Sequence, residues 1–244
     1  MEKLNLFKKE DYSERMKKIL DEAWCVFQHQ FIAGMIMTET KNEALFQFHF
    51  ASIIKTVGNL YAFSDERFYV DLETKWEGEK GKKFIDITCG FKENDVIRYA
   101  CAIELKFKPR REDSKKTAFP NNMFRIYRDL EFLEKEVGIG LEKKPEECSL
   151  GKQIYSEGRF YFITDNEKFL ETKAYNQKEN EDGRYHAFGL TENYTEKEVV
   201  YHPKKNETED RCVNLSKPYP INWKEYDSAK DENSWYFLEI DISE

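Results

Sequence analysis

The chain has 244 residues, a net charge of −8 and a pI near 5.3. This length suits one large domain or two small ones and allows a substantial buried core. The acidic balance argues against a general nucleic-acid coat protein, although it allows an enzyme with one local basic face. No apolar run reaches transmembrane length, and Met1–Glu10 lacks the apolar core of a signal peptide, so we expect no membrane partner and a cytoplasmic protein.

The first quarter of the chain carries two predicted helices. Apolar residues at helical spacing predict a helix over Asp11–Ile32, with Asp11 or Ser13 as its cap and Gly34 as an interruption beyond it. A second apolar stripe predicts a helix over Thr40–Val57, which Gly58 would end.

Three strands follow in the predicted order. Alternating polar and apolar residues predict strands over Phe68–Trp76 and Phe84–Cys89, and Ile97–Phe107 is nearly continuously apolar, as in a central strand covered on both faces. The polar, turn-rich run Gly90–Val96 lets the last two strands pair as a hairpin.

The second half of the chain alternates between predicted helices, strands and loops. Basic Lys108–Asn121 is predicted as a loop and Asn122–Val137 as a helix that Gly138 ends. The remaining predictions are a strand over Arg159–Thr164, a short helix over Asp165–Thr172, and strands over Tyr185–Leu190, Val199–His202, Cys212–Leu215 and Trp235–Ile242. This order predicts an α/β or α+β fold, with a central mixed β-sheet flanked by helices, in a single domain over residues 1–244.

Asp86, Glu104 and Lys106 interrupt apolar stretches of the second and third predicted strands. Glu104 and Lys106 are two apart on one strand and therefore share a face, and the hairpin would place Asp86 of the preceding strand beside Glu104. Such charges in an apolar sheet are costly unless something pairs them, and a divalent metal would do so. The segment Glu104–Arg128 also carries eight basic and three acidic residues, a balance of +5 in an acidic protein.

The pattern resembles the PD-(D/E)xK nuclease superfamily, which has the restriction-endonuclease-like fold. The resemblance rests on Glu43 in a helix, Asp86 in Phe-Ile-Asp-Ile-Thr, and Ile-Glu-Leu-Lys-Phe at Ile103–Phe107, followed by a helix and a strand. It covers about Thr40–Asp165 and implies a core with an N-terminal helix and a β-rich C-terminal extension packed on it. The sequence departs from the family motif at Ile85, where the motif has proline.

The resemblance implies Mg²⁺-dependent hydrolysis of DNA, with Mn²⁺ as a substitute, RNA not excluded, a homodimer, and a role in restriction or defence against foreign DNA. It assigns the metal to Asp86, Glu104 and the carbonyl of Leu105, while Glu43 would bind a second metal or hydrogen-bond to a metal-bound water. Lys106 would orient or help to deprotonate the attacking water. We expect nucleic acid to contact Gln47, Lys108, Arg110, Arg125 and Arg128, although Arg125 and Arg128 also suit a solvated helix face.

The alternative is a catalytically inactive relative that acts as a nucleic-acid-binding or assembly module. In that case Lys106 neutralises Glu104 in a buried ion pair and Asp86 is exposed at a sheet edge. The acidic net charge favours this alternative. Five scattered cysteines, with no Cys-x-x-Cys pair, predict reduced thiols and no zinc site.

Overall fold

The structure, a computed structural model, describes residues 7–78, 81–110, 119–138, 155–170, 190, 193–201, 211–227 and 233–243. Within these residues the helices are α1 (Tyr12–Ile32), α2 (Glu43–Tyr61) and α3 (Phe119–Val137), with a short 3-10 helix at Glu167–Phe169. The strands are β1 (Arg67–Gly78), β2 (Gly81–Glu93), β3 (Val96–Phe107), β4 (Glu157–Thr164), β5 (Glu198–Tyr201), β6 (Arg211–Asn214), β7 (Lys224–Asp227) and β8 (Ser234–Ile242).

The described strands form a six-stranded sheet in the order β1-β2-β3-β4-β8-β7 and a separate pair of β5 and β6. Neighbours in β1-β2-β3 and in β4-β8-β7 are antiparallel. Just after β3, the Lys108 N–H donates to the carbonyl of Ile163, near the end of β4, at 3.0 Å. The carboxyl ends of β3 and β4 therefore lie side by side, so these strands run parallel. The mixed sheet and the α+β class are confirmed.

The chain divides into two compact units, Met1–Ile103 and Glu104–Glu244, and β3 runs through the boundary. In the first unit, α1 and α2 pack through aromatic rings: Phe27 lies 4.9 Å from Phe46 and 5.6 Å from Phe50, between ring centroids. Alternate residues of β2 are fully buried, namely Ile85, Ile87, Cys89 and Phe91. The alternation of polar and apolar residues in the sequence therefore identified the buried face of β2.

A buried ion pair joins α1 to the segment before β1. The side chains of Arg15 and Glu66 are both 0% exposed, and Nη1 of Arg15 lies 2.7 Å from Oε2 of Glu66. The Arg15 guanidinium also lies 4.1 Å from the centre of the Phe91 ring. Two hydrogen bonds to Glu66, two to backbone carbonyls and the contact with Phe91 thus compensate the desolvation of the Arg15 guanidinium.

Close backbone packing explains one glycine in the β2–β3 hairpin. Gly90 pairs with Ala100, and a Cβ on Gly90 would lie 2.0 Å from the carbonyl oxygen of Tyr99. The turn of this hairpin contains Asn94 and Asp95, both with positive φ. Asn and Asp tolerate that conformation better than other non-glycine residues, so the polar run serves as the predicted turn.

In the second unit, α3 packs on β4 and β8 and anchors the segment after β6. Glu134 of α3 is 4% exposed and accepts hydrogen bonds from the Ser216 N–H at 2.9 Å, the Ser216 hydroxyl at 2.6 Å and the Tyr219 hydroxyl at 2.7 Å. Burial and this carboxylate raise the pKa of Tyr219 well above its usual range. The tyrosine therefore remains a proton donor to Glu134.

Several predicted boundaries were wrong for identifiable reasons. Helix α2 begins at Glu43 rather than Thr40, because the Asn42 side chain caps it by accepting from the Leu45 N–H at 2.8 Å. It continues through Gly58, where a Cβ would lie 2.2 Å from the Phe68 ring, so that glycine allows close packing rather than ending the helix. Helix α3 begins at Phe119, inside the predicted loop.

Other expectations at the ends of elements had mixed outcomes. Asp11 occupies the N-cap position of α1, but its side chain makes no capping hydrogen bond there. Gly138 adopts a φ of 80° just after α3, as predicted for a helix stop. Strand β7 was not predicted. The predicted strand at Tyr185–Leu190 lies outside the described residues except for Leu190, and Cys148 also lies outside them.

The cysteines in the described part of the chain, Cys25, Cys89, Cys101 and Cys212, form no disulfide there. In that same part of the chain, no helix combines the length and apolar character needed to cross a membrane.

Candidate functional site

Asp86 lies in the middle of β2, half-buried between the fully buried residues Ile85 and Ile87. The register of β2 with β3 pairs Ile87 with Ile103, and Asp86 and Glu104 are the next residues along these two antiparallel strands. The hairpin predicted from the sequence is confirmed. Asp86 lies on β2, between the partner strands β1 and β3, and not on either of the edge strands β1 and β7 of this sheet.

Gln47 of α2 braces the two strands next to Asp86. Its side-chain nitrogen Nε2 donates to the backbone carbonyl of Asp86 at 2.6 Å and to Oε1 of Glu73 at 2.9 Å. Glu43, the first residue of α2, lies one turn earlier on the same side of the helix and is half-buried. The side chain of Gln47 therefore makes hydrogen bonds within the protein, and its contact with nucleic acid stays a prediction.

Glu73 of β1 is a feature that the sequence did not reveal. Its φ is 49°, a left-handed conformation in the middle of a strand, and the pairing of β1 with β2 passes from Leu72–Ile87 to Thr74–Ile85. Glu73 thus stands at the register position opposite Asp86. A left-handed residue without glycine costs about 1–2 kcal/mol, and such strain is concentrated at functional sites. No residue-type signal could have found it, because glutamate does not favour positive φ.

The second unit carries the Glu-x-Lys motif. Glu104 is 3% exposed and Leu105 is fully buried, while the Lys106 side chain is 14% exposed. The Lys106 ammonium lies 2.9 Å from Oδ2 of Asp129 on α3 and donates to the Leu105 carbonyl at 2.9 Å. An ion pair of Lys106 is therefore made with Asp129, a residue missed by the sequence reasoning. Its only sequence signal was its place beside Arg128 on the predicted helix.

Basic side chains lie near Asp129 along α3 and just after β3. Arg125 and Arg128 are both exposed. Arg125 lies four residues before Asp129 and shares a helix face with it, whereas Arg128 immediately precedes Asp129. Lys108 is half-buried and binds β4 through its backbone, since its carbonyl accepts from the Thr164 hydroxyl at 2.6 Å. Arg110 is exposed, and its backbone N–H donates to the Asp165 carboxylate. Their contact with nucleic acid stays a prediction.

The donor chemistry of the predicted metal set is uniform, since every member offers an oxygen. Mg²⁺ prefers oxygen ligands, keeps several waters and uses one or two carboxylates. Across the described ranges, no group of three or more His, Cys, Asp or Glu side chains is arranged to hold a metal ion. The predicted ligands Asp86 and Glu104 supply only two such side chains, and the third predicted ligand is the backbone carbonyl of Leu105. Metal binding by this set, and by Glu43 as a further member, stays a prediction.

No protein-family model, curated protein or solved structure matches this chain.

Proposed function

We propose that this protein is a metal-dependent nuclease of the PD-(D/E)xK kind with a restriction-endonuclease-like core, which hydrolyses phosphodiester bonds in DNA. The observation that carries the proposal is Glu104, a carboxylate that is 3% exposed directly after the buried apolar stretch Ala100–Ile103 of β3, with Lys106 two residues further on. A charge buried at this depth is retained at a cost to stability, and metal binding is a function that would offset it.

In this proposal Asp86, Glu104 and the Leu105 carbonyl hold Mg²⁺, or Mn²⁺ as a substitute, and Glu43 is the fourth candidate. When bound, the ion neutralises phosphate charge and makes a coordinated water more acidic. Lys106 donates a hydrogen bond to the attacking water and stabilises the negative charge that develops. Asp129 restrains the Lys106 ammonium, which it contacts at 2.9 Å.

DNA is held by the basic side chains around α3 in this proposal. Arg125 and Arg128 are exposed on α3, and Lys108 and Arg110 follow β3 directly. Their positive charge would contact backbone phosphates, so binding would be local and sensitive to salt in a protein whose net charge is −8. Cleavage of both strands would take two sites, which is the reason for proposing a homodimer. Restriction or defence against foreign DNA is the proposed setting.

A second candidate function is a non-catalytic binding or assembly module of the same fold. The observation that favours it is the ion pair between Lys106 and Asp129, because a lysine engaged by a carboxylate is also what a purely structural role would show. The two candidates differ in metal binding. A structural ion pair gives no site-specific affinity for Mn²⁺.

Isothermal titration with Mn²⁺ and cleavage of supercoiled plasmid with Mg²⁺ test the proposal together. We expect one Mn²⁺ site per chain, lost in Asp86→Asn and in Glu104→Gln, and cleavage that is lost in these variants and in Lys106→Ala. Glu14→Gln, at an exposed acid of α1, is the matched control and should behave as wild type.

Circular dichroism establishes that each variant is folded. A folded wild-type protein that binds no Mn²⁺ and cleaves neither DNA nor RNA would refute the nuclease. Binding of Mn²⁺ that needs Asp86 and Glu104 but gives no cleavage of either nucleic acid would refute both candidates, because a structural ion pair has no site-specific affinity for Mn²⁺.

A further inference from the structure

We propose that Glu73 and Gln47 are positioning residues for Asp86, and that the left-handed backbone at Glu73 is retained for this purpose. The inference rests on the proposed function, because Asp86 is a proposed metal ligand. Neither residue was expected to act on the backbone of Asp86, and Glu73 was not expected to act at all.

The backbone at Glu73 is exceptional for its place in the fold. Among the described residues, the other non-glycine residues with positive φ are Met37, Asn94 and Asp95, which lie in the α1–α2 connection and in the β2–β3 turn. Glu73 alone among these four lies inside a strand. Its φ of 49° matches the 48° of Asn94, but glutamate lacks the short side chain that helps asparagine to adopt this conformation. Something in the surroundings therefore holds Glu73 in place.

Gln47 is the group that contacts both strands at this step. Its Nε2 atom donates to the Glu73 carboxylate at 2.9 Å and to the Asp86 carbonyl at 2.6 Å. Gln47 is half-buried on α2, which packs on β1 and β2. One amide group thus links the strained residue of β1, the carbonyl of Asp86 in β2, and the helix that carries Glu43.

The strained residue also changes the face that β1 presents. Thr74 pairs with Ile85, whose side chain is fully buried, yet the Thr74 hydroxyl lies 2.7 Å from the hydroxyl of Thr88. Ile85 and Thr88 are three apart on β2 and point to opposite faces. Residues paired across strands ordinarily share a face, so the left-handed step has turned Thr74 away from the face of its partner. Irregular strand positions that redirect side chains recur beside functional sites.

The experiment replaces the strained residue and its brace and follows Asp86 directly. Glu73→Gly accepts positive φ without strain, and Gln47→Ala removes the brace. We expect amide hydrogen exchange at residues 85–87 to become at least tenfold faster in both variants, without a lower unfolding midpoint in Glu73→Gly. Asn94→Gly, at the matched φ in the hairpin turn, should leave exchange at these residues unchanged.

Cleavage and Mn²⁺ titration separate a positioning role from a ligand role. In Glu73→Gly and Gln47→Ala we expect cleavage to fall at least tenfold, whereas Glu73→Gln, which keeps an oxygen that accepts from Gln47, should stay within threefold of wild type. Unchanged exchange at residues 85–87 overturns the inference, as does loss of Mn²⁺ binding in Glu73→Gln, which would make Glu73 a ligand. If wild type binds no Mn²⁺ and cleaves nothing, the proposed function fails, while the exchange rates still decide whether Glu73 and Gln47 position Asp86.

Discussion

Replacing Asp129 with asparagine should destabilise the protein and weaken its proposed activity through Lys106. The two charges lie 2.9 Å apart, with 14% of each side chain exposed, and both residues belong to the second unit. Asparagine keeps the size of the side chain and an oxygen that can accept a hydrogen bond. The variant therefore removes the negative charge while changing the packing on α3 very little.

The geometry sets the size of the expected effect. At this separation and an effective dielectric constant of about 20, the attraction between the charges is about 6 kcal/mol before desolvation is counted. Exposed pairs contribute about 0–1 kcal/mol, and removal of one partner from a fully buried pair costs about 3–5 kcal/mol. The small remaining exposure of Lys106 and Asp129 places Asp129→Asn between these limits, at a loss of about 2 kcal/mol.

A double-mutant cycle isolates the interaction. We expect Lys106→Met to lose about 1–2 kcal/mol, and the double variant to be more stable than the sum of the two single losses by about 2 kcal/mol. Urea denaturation followed by circular dichroism measures each free energy of unfolding. In the plasmid assay, Asp129→Asn should retain partial cleavage and Asp129→Glu more of it, whereas Lys106→Met should retain none.

A coupling energy below about 0.5 kcal/mol, the level expected for an exposed pair in solution, would show that Lys106 and Asp129 do not stabilise the folded protein as a partly buried ion pair. Equal cleavage by wild type and Asp129→Asn, over the full pH range in which the wild type is active, would show that Asp129 does not restrain Lys106 for catalysis.

Three further predictions concern stability, measured by urea denaturation. Glu66→Gln should cost about 3 kcal/mol at neutral pH, because it leaves buried Arg15 without its carboxylate. Burial raises the pKa of Glu66, but hydrogen bonds from Arg15 and a backbone N–H outweigh burial and lower the pKa overall. The stability that ionised Glu66 contributes is therefore present above the ordinary glutamate pKa and is lost as the pH falls through the lowered pKa. Gly90→Ala should cost about 3 kcal/mol, because its Cβ would meet backbone 2.0 Å away, whereas Gly138→Ala, with φ of 80° and open space around it, should cost about 1 kcal/mol. Glu134→Leu should cost about 3 kcal/mol, because it leaves buried donors unsatisfied, and Glu134→Gln should cost less.

The Glu66 prediction would be contradicted if acid lowered the free energy of unfolding as steeply in Glu66→Gln as in wild type. The glycine prediction would be contradicted by a larger loss of unfolding free energy in Gly138→Ala than in Gly90→Ala. An unchanged free energy of unfolding in Glu134→Leu would mean that the segment after β6 is not anchored through this carboxylate.

The sequence by itself determined the elements whose periodicity is strong. Helix α1, the β2–β3 hairpin and strand β4 lie close to their predicted positions, because burial of one helix face or of alternating strand residues leaves a local pattern in residue type. It also singled out Asp86, Glu104 and Lys106, since charges are rare in apolar strands. Strand β7 was invisible, because all four of its residues are exposed and no apolar alternation marks it.

Only the tertiary structure decided what surrounds the candidate residues. The ion pair joins Lys106 to Asp129, which lies 23 positions further along the chain. A hydrogen bond joins Gln47 to the carbonyl of Asp86, 39 positions further along. No local pattern in the sequence records contacts between residues so far apart. The continuation of α2 through Gly58 depends on the Phe68 ring, which belongs to another element. The left-handed Glu73 is the sharpest case, because its conformation opposes the preference of its residue type. Local preference can be read from a sequence, but a contact that overrides it exists only once the chain has folded.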